Sequence, residues 1–151
     1  MPAPVTETAM AALAARPHTV ARRALDLLAG RGAAGPGAVP GGGVPRGARV
    51  LLAGVAYKPG VADCRESPAL AIMADLAEAG ADVAYTDPLV PELRLGTRLL
   101  HSHPDPGGAR WDLVLVHTLH PGQDTGWLHA QPGPVLDATY RFDSLKHRYL
   151  V

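Results

Sequence analysis

Cysteine occurs once, at Cys64, so no disulfide can form within the chain and a disulfide-stapled fold is excluded. Aromatic residues make up only 5% of the 151 positions, which leaves Leu, Val and Ala to build the core. Neither sign of charge is in excess. Fourteen Lys and Arg balance fourteen Asp and Glu, so nothing in the composition points to nucleic acid or to an anionic membrane surface. No apolar run approaches the roughly 20 residues of a membrane span. The N-terminus lacks the basic start and apolar stretch of a signal peptide, and the default expectation is a cytoplasmic protein. Seven histidines invite a metal reading through His101-x-His103 or His117-x-x-His120. No Cys, Asp or Glu accompanies them at zinc-like spacing, so no metal is expected. His117 ends an apolar run and is placed to face a ligand cleft.

What is present is a 47% hydrophobic chain, long enough for one domain and an appendage. Residues 6–29 read as helical, with Val20, Ala24, Leu27 and Leu28 at i, i+4, i+7 and i+8 on one face. Pro17 is expected to divide this region and Gly30 to end it. Residues 30–47 hold eleven Gly and Pro in eighteen positions, the composition of a flexible linker. From Arg49 the pattern changes. Arg49-Val50-Leu51-Leu52-Ala53-Gly54 is a short apolar run closed by glycine, as in a buried parallel strand. Ser67-Pro68 opens a helix, since serine accepts orphan N–H groups and proline suits the first helical position. Leu70, Met73, Leu76 and Ala77 form its apolar stripe, and Gly80 stops it. Further strands are expected at 82–86, 112–117 and 134–137, and a short helix at 92–95. Strands alternating with helices predict a Rossmann-like three-layer α/β domain with a parallel sheet over residues 48–151. The N-terminal helix (residues 1–29) and the Gly/Pro-rich linker (30–47) precede it. Ligands of such sheets sit beyond the carboxyl ends of the strands, here the turns after Gly54, Asp87, His117 and Asp137.

The turn after the first strand does not read G-x-G-x-x-G, the spacing that brings a pyrophosphate against a helix N-terminus. It reads Gly54-Val55-Ala56-Tyr57-Lys58-Pro59-Gly60, with Asp63, Arg65 and Glu66 before the helix. A lysine and an arginine beside a helix N-terminus make an anion site, because the dipole and both charges act in one direction. The alternative is a solvated loop in which Arg65 pairs with Asp63 or Glu66. Cys64 stands beside an arginine and a helix start, surroundings that favour a thiolate, but no histidine base is placed beside it. It is not expected to be a nucleophile.

Gly54-Val55-Ala56-Tyr57-Lys58-Pro59 followed by Asp63-Cys64-Arg65-Glu66-Ser67-Pro68-Ala69-Leu70 resembles the C-terminal, UDP-sugar-binding domain of the UDP-glucose/GDP-mannose dehydrogenases. Gly80-Ala81-Asp82-Val83 with Tyr85, Asp87 and Pro88 continues the resemblance. Trp111 to Thr118 and Val135-Leu136-Asp137 complete it over about residues 48–145. Pro17-His18-Thr19-Val20 and the helix to Leu28 resemble the end of the family's interdomain helix.

The resemblance implies a domain that binds a UDP- or GDP-sugar. In the intact family the C6 alcohol is oxidised to the acid in two NAD-dependent steps, through a cysteine on another domain. It implies that Tyr57, Lys58 and Arg141 contact the nucleotide sugar and that Arg65 reaches NAD. No strand turn with the dinucleotide fingerprint and no G-G-x-C segment stands beside these residues. The chain by itself is therefore expected to be inactive and not to hold NAD. Three alternatives stay open: a dehydrogenase piece working with a separate chain that carries the NAD-binding and catalytic domains, a non-catalytic sugar-nucleotide-binding or regulatory module, or a degraded remnant.

Overall fold

The computed structural model describes residues 4–33, 46–139, 141–142, 145 and 148–150, with side chains from residue 16 to 30 in the first helix. A parallel sheet forms the centre. Strands β1 (Arg49–Ala53), β2 (Asp82–Thr86), β5 (Leu113–Val116), β6 (Val135–Asp137) and β7 (Arg148–Leu150) run in the order β2-β1-β5-β6-β7, every neighbouring pair parallel. The chain steps from β1 outward to β2, then returns to add β5, β6 and β7 on the other side. The order therefore reverses between β1 and β5, the topological switch point of a doubly wound sheet.

Both faces of the sheet are buried, which is why β1 and β5 read as unbroken apolar runs. Val50 and Leu52 of β1, with Leu113 and Leu115 of β5, face a core shared with helices α1 (Pro4–Ala33) and α2 (Pro68–Glu78). Leu51, Ala53, Val114 and Val116 face the other side, where Trp111, Leu119, Leu128 and Leu145 cover them. A short 3-10 helix, Gly126–Ala130, carries Leu128 there.

Helix α2 begins and ends where its sequence signals stand. The Ser67 side chain accepts the Ala69 N–H at 3.2 Å, and Pro68 occupies the first turn. At the other end Gly80 takes φ +98°, and Gly80 and Ala81 donate back to Ala77 and Leu76. That pair of bonds satisfies carbonyls the helix leaves without partners. The buried stripe is Ala69, Ile72, Met73 and Leu76, rotated by one residue from the expected one, with Leu70 and Ala77 only partly buried.

Four expectations are corrected. Helix α1 does not divide at Pro17, which lies inside a continuous helix. Its buried face is Val20, Ala21, Ala24 and Leu28, with Leu27 partly buried. Gly30 does not end α1, which runs on to Ala33. The remainder of the expected linker, residues 34–45, lies outside the described residues. Residues 92–95 are not helical. They form β3 (Glu92–Leu95), paired antiparallel with β4 (Arg98–His101) across the turn Gly96-Thr97. Apolar Leu93 and Leu95 alternate with Glu92 and Arg94, a period of two that suits a strand, and Gly96 supplies φ +62° in the turn. Lastly, β7 adds a fifth strand that sequence reading did not place.

Candidate functional site

The loop after β1 is built by hydrogen bonds to its backbone. Gly54 donates to the Thr86 carbonyl at 2.8 Å, and Val55 and Ala56 donate to the Asp87 carboxylate at 3.0 and 3.2 Å. The Ala56 carbonyl accepts from the Thr118 hydroxyl at 3.0 Å and from Ser67 at 3.4 Å. Tyr57 donates to the Asp63 carbonyl, and Gly60 to the His120 ring at 2.8 Å. With the backbone anchored in this way, the Tyr57, Lys58 and Pro59 side chains are turned outward, Tyr57 being 57% exposed.

They line a crevice of about 540 Å³ at the carboxyl ends of the strands. His117, Thr118 and Leu119 after β5 form its floor, together with Ala138, Thr139 and Arg141 after β6. Pro68 and Ile72 of α2 and Arg16, Pro17 and Val20 of α1 close one side. The crevice thus lies at the switch point, where the sheet topology leads a ligand to bind. Arg16, Lys58 and Arg141 give it three cations, and among the described residues no acidic side chain lines it. Among the described residues none of the three is in an ion pair. Cations without carboxylate partners attract an anion more than paired ones do, and the apolar walls weaken solvent screening.

The Thr139 turn is fixed from below. Asp137, fully buried, accepts from the Thr139 hydroxyl at 2.6 Å and N–H at 2.8 Å, and from the Phe142 N–H; Arg148 lies at 3.3 Å. Burial acts to raise the Asp137 pKa, but the Thr139 and Phe142 hydrogen bonds and the Arg148 charge outweigh it. The carboxyl is held below its ordinary value.

His117 is depressed in pKa to about 4, by burial first and by the Arg16 charge second. The crevice thus holds a neutral imidazole at pH 7, its Nδ1 2.9 Å from the Thr118 hydroxyl. Because the folded pKa lies below the ordinary 6.5, this contribution to stability is complete above pH 6.5 and is lost as pH falls towards 4. Urea unfolding between pH 7.5 and 4 is expected to show a slope of up to about 1.4 kcal/mol per pH unit from this group. His117→Gln should flatten that slope, and an unchanged acid profile in the variant would exclude His117 as its source.

Of the residues singled out from sequence, Tyr57, Lys58 and Arg141 come together in the crevice. Arg65 does not line it. Its exposed guanidinium pairs with Asp63 at 3.0 Å, which in turn holds the Asp63 carboxyl below its ordinary value. Cys64 is half-buried against the first core. The turn after Asp87 opens on a separate cleft that includes Pro88. Sequence reading missed Arg16 and Thr139. Arg16 is far from the loop in the chain and reaches the crevice only because α1 packs on α2. The spacing G-x-G-x-x-G, missing from the turn after β1, does occur once in the chain, at Gly30-Arg31-Gly32-Ala33-Ala34-Gly35. Gly30 and Gly32 are within α1 and follow no strand, so it is not a dinucleotide turn. Among the described residues no group of three His, Cys, Asp or Glu side chains could hold a metal, and no helix is long and apolar enough to cross a membrane.

A parallel sheet whose order reverses beside a cation-lined crevice defines a Rossmann-like α/β domain. Residues 51–143 match the model of the UDP-glucose/GDP-mannose dehydrogenase family, UDP binding domain, and the chain belongs to that family. Among solved structures it is similar to the UDP-N-acetyl-mannosamine dehydrogenase of S. aureus. A derivative structure of that protein is 20% identical over 90% of this chain and 31% of that one, with a TM-score of 0.60. Its native structure is 25% identical over 69% and 26%, with a TM-score of 0.53. The UDP-D-ManNAc dehydrogenase of Pyrococcus horikoshii is 21% identical over 70% and 25%, also with a TM-score of 0.53. The chain spans less than a third of the length of these proteins. No curated protein matches it.

Proposed function

We propose that the crevice binds the diphosphate of a UDP- or GDP-sugar. The observation that carries this reading is the meeting of Arg16, Lys58 and Arg141 in the switch-point crevice, with no carboxylate lining it among the described residues. Lys58 is a compact charge suited to a phosphate oxygen, while the arginines can each take two oxygens at once. Tyr57, exposed at the loop tip, is suited to lie against the base or the sugar. The match to a UDP binding domain supports the same ligand class.

In a whole enzyme of this family the domain would present its sugar nucleotide for NAD-dependent oxidation of the C6 alcohol. The β1 turn lacks the glycine spacing of a dinucleotide site, and Arg65 is already paired with Asp63. A contact between Arg65 and NAD would require the rest of that site to come from elsewhere, and would have to break or share the Asp63 pair.

Titration calorimetry with UDP-glucose, GDP-mannose and NAD tests the reading. One sugar nucleotide is expected to bind, and NAD is not. Lys58→Ala should weaken that binding by about ten- to a hundredfold, the loss of one charge-assisted hydrogen bond to phosphate. Equal affinity in the variant would remove Lys58 from the site. Absence of binding by either sugar nucleotide at millimolar concentration would refute the reading for this chain.

A further inference from the structure

His120 is a buried histidine that does not line the crevice, yet it is bonded to the loop that does. Its surroundings begin with Asp87, which directly follows β2 and is almost completely enclosed. One carboxylate oxygen of Asp87 accepts the N–H groups of Val55 and Ala56. The other accepts the Leu89 N–H at 2.9 Å and lies 2.8 Å from His120 Nε2. On the far side of the ring, Nδ1 accepts the Gly60 N–H at 2.8 Å. A ring nitrogen that accepts an N–H carries no proton, so Nε2 bears it and donates to Asp87. The loop is thus tied to one carboxylate twice, directly at Val55 and Ala56 and through the imidazole at Gly60. Tyr57, Lys58 and Pro59 lie between the two ties.

We propose that His120 is a positioning residue, a clasp whose bond to Gly60 holds the Tyr57–Lys58 loop in its ligand-ready form and so sets the affinity of the crevice. Packing alone would not call for histidine here, since an apolar side chain fills space without a buried polar ring to satisfy. The two ring nitrogens instead join two loops in opposite directions. An untethered loop has to be ordered when ligand binds, at a cost in conformational entropy that a tethered loop has already met on folding. The inference rests on the reading that the crevice takes a nucleoside diphosphate.

Two substitutions separate the two bonds. Gln extends its amide to the place of Nε2, so His120→Gln keeps a donor for Asp87 and loses the acceptor for Gly60. Asn places its oxygen near Nδ1, so His120→Asn keeps the Gly60 acceptor and loses the Asp87 donor. The probe is UDP, titrated calorimetrically into the full chain, with amide exchange of Gly60 followed by NMR and the melting temperature recorded. His120→Gln is expected to melt close to the wild type, to exchange Gly60 about five- to tenfold faster, and to bind UDP about five- to twentyfold more weakly. His120→Asn is expected to melt lower while keeping Gly60 protection and UDP affinity within about twofold of wild type. Wild-type UDP affinity in His120→Gln would overturn the proposal, as would a loss of affinity that follows melting temperature in both variants. If wild-type chain binds no UDP, the nucleotide reading falls. The contrast in Gly60 exchange then decides the clasp: equal exchange in the two variants overturns it, and faster exchange in His120→Gln alone sustains it.

Discussion

Gly54→Ala is expected to abolish the stable fold. Gly54 takes φ +91°, a region that side-chain-bearing residues adopt only with strain. Space is the harder limit. A Cβ at this position would lie 1.5 Å from the Thr118 carbonyl oxygen and 2.4 Å from its carbon. Both neighbours are backbone, so no rotamer change can relieve the clash. The carboxyl ends of β1 and β5 would have to separate, breaking the His117 N–H bond to Ala53 at 3.0 Å. Strain in the left-handed region alone costs about 1–2 kcal/mol, and parting two buried strands adds several more, against a typical total stability of about 5–15 kcal/mol. Circular dichroism with thermal unfolding checks this. A cooperative transition within a few degrees of the wild type would show that the strands part more easily than their packing implies. The same substitution would displace the loop that carries Tyr57 and Lys58, so any folded fraction should bind sugar nucleotide poorly.

Asp87→Ala is expected to come next in severity. It would strip the acceptor from four donors at once: the N–H groups of Val55, Ala56 and Leu89, and His120 Nε2. The Asp87 and His120 side chains are only 0% and 4% exposed, so water cannot readily replace the lost partner. A buried donor left without an acceptor costs about 1–3 kcal/mol, so a total loss of about 4 kcal/mol or more is expected. Asp87→Asn should be milder, since one oxygen remains as an acceptor while the amide opposes donors on its other side. Urea unfolding of the two variants checks the order. A loss below about 1 kcal/mol for Asp87→Ala would mean that the loop rearranges to satisfy its own backbone.

These two residues also show how unevenly the fold could be read in advance. Gly54 was visible as the end of an apolar run, but its need for glycine was not, because the obstructing atom belongs to Thr118, in the loop after β5. Asp87 was visible as the residue between β2 and Pro88, while its four donors come from three separate stretches of chain. The ends of helix α2 were legible because their signals are local: a serine and a proline at the start and a glycine at the end. The hairpin β3-β4 was missed although its alternation and its Gly-Thr turn were present, because the surrounding Pro and Gly hid a short period-two pattern. The continuity of α1 through Pro17 was likewise not readable, since a proline's effect depends on whether the rest of the helix is held by packing, here through Val20, Ala21 and Ala24.

By itself the sequence determined the class of fold and the membership of the β1 loop in the site. Strand hydrophobicity, capping residues and the run from Gly54 to Leu70 are properties of neighbours along the chain. Only the tertiary structure decided the strand order β2-β1-β5-β6-β7, the place of the switch point, and the meeting of Arg16, Lys58 and Arg141 around His117. It alone also decided that Arg65 pairs with Asp63 outside the crevice and that His120 bridges Asp87 to Gly60. Charges and hydrogen bonds act over a few ångströms in space, and no spacing along the chain records which distant segments folding brings within that range.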